Sequence, residues 1–162
     1  MPPLKHDKTP QQALSALMRL CSRAEKCSED ASRLLVRWGI APADRQEILR
    51  RLVADRFIDD RRYAESFVRE KRRLSNWGIH KIRTALAAKR LPPETIAEVL
   101  APIDSEEERS RLEEQLRRKN RTVRASSPFD RKAKLMRYGI SLGYEYEQVT
   151  DTVNLLMKDY DE

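Results

Sequence analysis

The chain has 162 residues and a formal net charge of +7, with 36% charged and 6% aromatic residues, four glycines, two cysteines and two histidines. No apolar run is long enough to span a bilayer and no secretory pattern opens the sequence, so a cytoplasmic protein without a membrane partner is expected. Cys21 and Cys27, with His6 and His80 far apart, fall short of a zinc set and are expected as reduced, structural thiols; no metal and no cofactor is expected.

In chain order, Thr9-Pro10-Gln11-Gln12 supplies a capping Thr, a first-turn Pro and an N3 Gln, and predicts a helix with Ala13, Leu14, Leu17, Met18 and Cys21 on its buried stripe. Ser28-Glu29-Asp30 predicts the next start, and Gly39 its left-handed end. Asp44-Arg45-Gln46-Glu47 reads as a capping box before Ile48, Leu49, Leu52 and Val53. Asp59-Asp60 opens a fourth helix whose stripe is Tyr63, Ala64, Phe67, Val68 and Leu74. Ser105-Glu106-Glu107-Glu108 and Ser127-Pro128-Phe129-Asp130 are two further starts, and the polar stretch 120–127 between them is expected as a mobile loop. No alternating strand pattern appears, and the fold class is all-α.

Sliding the chain along itself pairs Ala13, Leu17, Leu35 and Ile40 with Ala64, Val68, Leu86 and Leu91 at an offset of 51. Ile48 and Leu52 pair with Ile96 and Leu100 at 48, a difference assigned to a longer turn around Ala43-Asp44-Arg45. A third copy pairs Ile82, Leu91, Ile96 and Leu100 with Leu135, Tyr144, Val149 and Val153 at 53. Three tandem three-helix repeats are therefore expected, over residues 9–58, 59–103 and 104–158, stacked into an elongated, curved body because each alone buries little surface.

The adjacent carboxylates of Asp59 and Asp60 raise the question of a metal or catalytic pair. Neighbours on a helix point about 100° apart, which suits shared ligation poorly, whereas an N-cap and a first-turn acid both gain from the helix start. No phosphate loop, nucleophile elbow or metalloprotease motif occurs, and the protein is not expected to be an enzyme.

The segment Phe57-Ile58-Asp59-Asp60-Arg61-Arg62-Tyr63-Ala64, with Trp77-Gly78-Ile79, Ile82-Arg83 and Leu86 after it, resembles the RecX regulatory proteins of bacteria. Lys134 through Arg137 and Gly143-Tyr144 extend the resemblance to the third repeat, over about residues 12–157. It implies a protein that lies along the RecA–DNA filament and restrains RecA's ATPase, recombinase and coprotease activities. Arg90 stands where many members have Gly, so its helix is expected to end through Pro92-Pro93, and Ile79 stands where Pro is common.

Charge marks the candidate contacts. Residues 61–103 carry 10 Lys and Arg against 4 Asp and Glu, and residues 117–137 carry nine against one. The candidates for RecA or DNA contact are Arg61, Arg62, Arg69, Arg72, Arg73, Lys81 and Arg83 in the first cluster. The second holds Arg117, Arg118, Lys119, Arg121, Arg124, Arg131, Lys132, Lys134 and Arg137. Acidic patches on RecA and phosphates of single- or double-stranded DNA are both open as partners. The competing reading is a non-specific DNA-binding protein that displaces RecA; a major-groove reader is disfavoured because the helix at Glu94–Leu100 offers Glu94, Thr95 and Glu98 and no cation. Trp38 and Trp77 are expected to pack against a neighbouring unit.

Overall fold

The computed structural model describes residues 7–158; His6 lies outside them. Among the described residues there are nine helices and no strand: α1 Pro10–Arg23, α2 Ser28–Arg37, α3 Pro42–Ala54, α4 Asp60–Leu74, α5 Ile79–Ala88, α6 Pro93–Leu100, α7 Ser105–Thr122, α8 Pro128–Ser141 and α9 Tyr146–Met157. The all-α fold follows from the legible starts and stops. Extensive packing joins α1 and α2 to α3, α4, α5 and α6 to one another, and α7, α8 and α9 to one another.

Three starts form as the capping residues dictate. Thr9 and Gln12 exchange hydrogen bonds, with Gln12 N donating to Thr9 Oγ1 at 3.2 Å and Thr9 N to Gln12 Oε1 at 3.0 Å. Asp59 Oδ1 accepts from Arg62 N at 3.0 Å, and Ser127 Oγ from Asp130 N at 3.0 Å. Three others begin earlier than the polar residues suggest. The N-caps are Cys27, Ala41 and Asp104. In α3 the reason is Pro42, whose fixed φ suits the first helical position and outranks Asp44 as a start.

Repeat-related positions are buried alike. Ala13 and Ala64, Leu17 and Val68, Leu35 and Leu86, and Ile40, Leu91 and Tyr144 are each at most 7% exposed. Three clusters result, centred on Leu17, Leu35 and Leu52 in the first unit, on Ile82 and Leu86 in the second, and on Leu112, Leu116 and Leu135 in the third. Leu74 and Val53, expected on buried stripes, are 63% and 50% exposed. Both fall in the last turn of their helix, beyond the reach of the neighbouring helices. Trp38 and Trp77 pack against the cores of their own units, at the rim of the cluster rather than across a seam.

The second helix of every unit ends on a left-handed residue: Gly39 at φ 74°, Arg90 at φ 57° and Gly143 at φ 94°. Arg90 thus terminates α5 itself, with its N–H on Ala87 O at 2.9 Å, while Pro92 and Pro93 are the N-cap and first residue of α6. The expected route through the two prolines is replaced by a strained C′ arginine. The turns Gly39-Ile40-Ala41-Pro42 and Arg90-Leu91-Pro92-Pro93 are equally long, so the three extra residues of the first unit are not in the turn. They lie within α3, which has 13 residues against 8 in α6; an insertion of three is nearly one helical turn and keeps the buried face in phase.

The expected loop at 120–127 is shorter. Helix α7 continues through Thr122, because Arg131 from α8 donates to both Asn120 O at 3.0 Å and Asn120 Oδ1 at 2.9 Å, and only residues 123–127 link the two helices.

The second and third units meet backbone to backbone. Gly78 N donates to Leu142 O at 2.7 Å and His80 N to Gly143 O at 3.1 Å. A Cβ on Gly78 would lie 2.5 Å from Gly143 O, and one on Gly143 would lie 2.1 Å from Lys81 Cβ. Gly78→Ala is expected to lower unfolding free energy by about 3 kcal/mol, from overpacking and the two loosened hydrogen bonds. Gly39→Ala, whose added carbon meets first the end of the flexible Asp7 side chain, should cost about 1 kcal/mol from backbone strain. Urea denaturation of the two variants measures the contrast, and equal losses would contradict a rigid seam at Gly78. In the same assay Arg90→Gly should gain roughly 0.5–1 kcal/mol by relieving the left-handed strain.

Candidate functional site

The structure divides the sixteen sequence-selected cations by what they touch. On α4 and α5, Arg61 pairs with Glu65 at 3.2 Å and with Glu98 of α6. Arg62 turns the other way, placing Nε 2.7 Å from Glu25 Oε1 and Nη2 3.1 Å from Arg56 O, and so ties the first unit to the second. Lys81 lies 4.6 Å from the centre of the Trp77 ring, with Lys71 at 4.7 Å from the same centre, and donates to Ser141 O at 3.0 Å. These three already have intramolecular work.

Arg72 corrects the expectation outright. Placed among the outward arginines by sequence, it is 8% exposed and pairs with Glu108 of α7, itself 3% exposed, and with Glu107 at 3.4 Å. Burial and then the neighbouring Arg111 push the Arg72 guanidinium below its usual range, while Glu107 pulls it back up. Arg111 closes the cluster by donating to Arg72 O at 2.9 Å and pairing with Glu107 at 3.5 Å. The periodicity of α4 faces Arg72 away from its own unit's core. A helix from the next unit covers that face, which no single-helix pattern could reveal. Arg69 and Arg73 are exposed and line, with Arg61 and Arg111, a groove of about 620 Å³ between α4, α6 and α7. Arg83 is exposed on α5 in a separate groove beside His80 and Tyr146.

The second cluster is divided in the same way. Arg117 and Arg118 pair with Glu113 at 2.6 Å and Glu114 at 3.3 Å, one turn earlier on α7. Lys119 sits 5.1 Å from the Tyr138 ring centre, and Arg131 is engaged with Asn120. Lys134 bridges Asp130 at 3.1 Å and Arg124 O at 2.6 Å. Arg137 donates to Ala133 O at 3.5 Å and is exposed. Arg121, Arg124 and Lys132 are exposed and have no carboxylate partner among the described residues.

Asp59 and Asp60 are likewise resolved. Asp59 caps α4, and Asp60 Oδ1 accepts Ser28 N from the first unit at 2.8 Å. The first seam is completed by Lys89 on Asp30 and by Cys27, which is fully buried in the second unit's core. Both cysteines are free. Burial pushes the Cys27 thiol up to about 11. Burial also acts to raise Asp30, but the hydrogen bonds from Lys89 and Cys27 outweigh it and hold Asp30 below the usual carboxylate range. No group of three or more His, Cys, Asp or Glu that could hold a metal occurs among the described residues, and no helix there is long and apolar enough to cross a membrane.

Comparison with known proteins bears on this same arrangement. Residues 59–100 match the model of the second three-helix domain of RecX, and residues 106–153 that of its third three-helix domain. The chain belongs to the RecX family. Regulatory protein RecX of Clostridium botulinum is 34% identical over 103 residues, 62% of this chain and 48% of that protein, so the chain matches about half the length of this relative. Two solved structures share the fold. RecX from Lactobacillus salivarius aligns with a TM-score of 0.76 at 19% identity, covering 92% of this chain and 96% of the other. A second regulatory protein RecX aligns at 0.77 and 21% identity, over 93% and 71%. The family's matched segments contain both basic clusters and the Gly78–Gly143 seam.

The buried pair gives a test of role. Glu108→Ala leaves the Arg72 charge buried without its main partner and should cost about 3 kcal/mol, whereas the double variant Arg72→Met/Glu108→Leu should return to within roughly 1 kcal/mol of the parent. Arg69→Ala, exposed in the same groove, should change stability by less than about 0.5 kcal/mol. Thermal and urea unfolding of the three proteins distinguish a structural Arg72 from a binding one, since a binding arginine would leave stability unchanged.

Proposed function

We propose that this RecX-family protein binds the RecA–DNA filament and restrains the recombinase, ATPase and coprotease activities of RecA, acting in the cytoplasm by binding rather than catalysis. The observation that carries the reading is the family membership, which rests on the same three-helix units that hold the basic surface. Physical form supports it. Three units joined through two seams offer a long surface, and Arg69, Arg73 and Arg83 of the second unit and Arg121, Arg124 and Lys132 of the third repeat are exposed on it. Such cations can meet acidic protein patches or phosphates, and a filament of protein on DNA presents both.

The second reading, competition for DNA, draws on the uncompensated cations of the third unit. RecA's ATP hydrolysis on single-stranded DNA separates the two. The expected outcome is a fall in hydrolysis with protein well below RecA stoichiometry, in excess DNA, at both low and moderate salt. Inhibition that appears only when protein suffices to coat the DNA, and that disappears as DNA or salt is raised, would replace filament regulation by competition.

A further inference from the structure

Phe129 is 84% exposed, the most exposed large apolar side chain among the described residues. It is not needed to start α8, because Ser127 caps the helix and Pro128 occupies its first position. Lone exposed aliphatic residues are ordinary. An aromatic ring held in water at the mouth of a basic hairpin is a different case, since both the ring and its surroundings suit one ligand class.

The hairpin end is fixed in place. Arg131 of α8 holds Asn120 of α7, Lys134 holds Arg124 O at 2.6 Å, and Asp130 accepts from Ser126 N at 3.0 Å and from Lys134 at 3.1 Å. These bonds use Asp130, which is the only carboxylate between residues 117 and 137. They also place the end of α7, with Arg121, and the link, with Arg124, beside the first turns of α8. Arg131 faces α7 and Lys134 faces the link. Phe129 and Lys132, three positions apart, share the outer side of α8 and are both exposed. Arg121, Arg124 and Lys132 therefore belong to the same hairpin end as the exposed ring, and none of them has a carboxylate partner among the described residues.

We infer that the α7–α8 hairpin end is a contact for single-stranded nucleic acid, in which the Phe129 ring stacks on one base while Arg121, Arg124 and Lys132 hold the neighbouring phosphates. A single strand fits because its bases are free to offer a face, and stacking on an aromatic ring does not depend on sequence; in a duplex those faces are already covered. The inference rests on the proposed reading in that the strand would be the DNA on which RecA assembles, yet it concerns binding to DNA alone and is tested without RecA.

The experiment is fluorescence anisotropy of labelled oligo-dT of about 20 nucleotides, an abasic oligonucleotide of the same length and a duplex, each titrated with the full chain at several salt concentrations. Phe129→Ala should weaken oligo-dT binding about tenfold and leave the abasic strand and the slope of affinity against salt unchanged. Phe129→Trp should restore oligo-dT binding. Arg124→Ala should weaken both single strands and reduce the salt slope by about 0.7. Because the substituted side chains are exposed, melting temperatures should not move, and circular dichroism checks this. The inference is overturned if the parent protein does not bind oligo-dT, or if Phe129→Ala binds oligo-dT as the parent does. Equal losses on the abasic strand overturn it as well. A Phe129→Ala protein that keeps oligo-dT binding but no longer restrains RecA's ATPase assigns the ring to a protein contact. One that loses oligo-dT binding while still restraining RecA upholds the contact and separates it from filament regulation.

Discussion

At Gly78 and Gly143 two backbones from different units meet with no room for a side-chain carbon on either. The two hydrogen bonds across this contact, from Gly78 and His80 to Leu142 and Gly143, fix the start of α5 against the end of α8. Direct backbone pairing sets distance and rotation together, since amide and carbonyl directions are tied to the chain itself. The orientation of the third unit, and with it the direction in which the α7–α8 hairpin projects, follows from that contact. Lys81 reinforces it by reaching over Trp77 to Ser141 O.

Beside the seam, the pairing of Arg72 with Glu108 and Glu107 shows how a basic protein uses its charge internally. Two ions at the unit boundary are withdrawn from water, so each requires the other. The pair contributes register more than affinity: a sliding of α7 along α4 would leave a buried charge alone. The first seam works differently. There Asp60 receives Ser28 N, Lys89 meets Asp30, Arg62 meets Glu25, and Cys27 enters the second unit's core. The first seam is thus held by side chains, and the second by backbone contact and buried ions together.

These internal uses reorder the candidate surface. Net charge counts Arg61, Arg62, Arg72, Arg117 and Arg118 equally with Arg69, Arg121, Arg124 and Lys132, but only the latter lack an acidic partner among the described residues. Exposed pairs such as Arg117 with Glu113 contribute little to stability, yet they lower the field available to an outside anion. The effective basic surface is smaller than the sequence suggests and is shared between Arg69, Arg73 and Arg83 of the second unit and Arg121, Arg124 and Lys132 of the third.

The sequence by itself determined the helices and the triplication, because capping residues, left-handed glycines and the spacing of Ala13, Leu17, Leu35 and their counterparts are local properties of the chain. It also settled Asp59 as a cap, since that role needs only the next three residues. The exposure of Leu74 and Val53 was out of reach because it depends on how far a neighbouring helix extends. The C′ role of Arg90 was hidden because an arginine rarely takes the left-handed conformation, and the extra turn of α3 because Pro42 rather than Asp44 starts that helix. The burial of Arg72 and the second task of Asp60 were decided only by tertiary structure, for a physical reason: both partners lie more than thirty residues away in other units. Periodicity reports which face of a helix turns from its own core, and only the packing of the next unit decides whether that face meets water or a carboxylate.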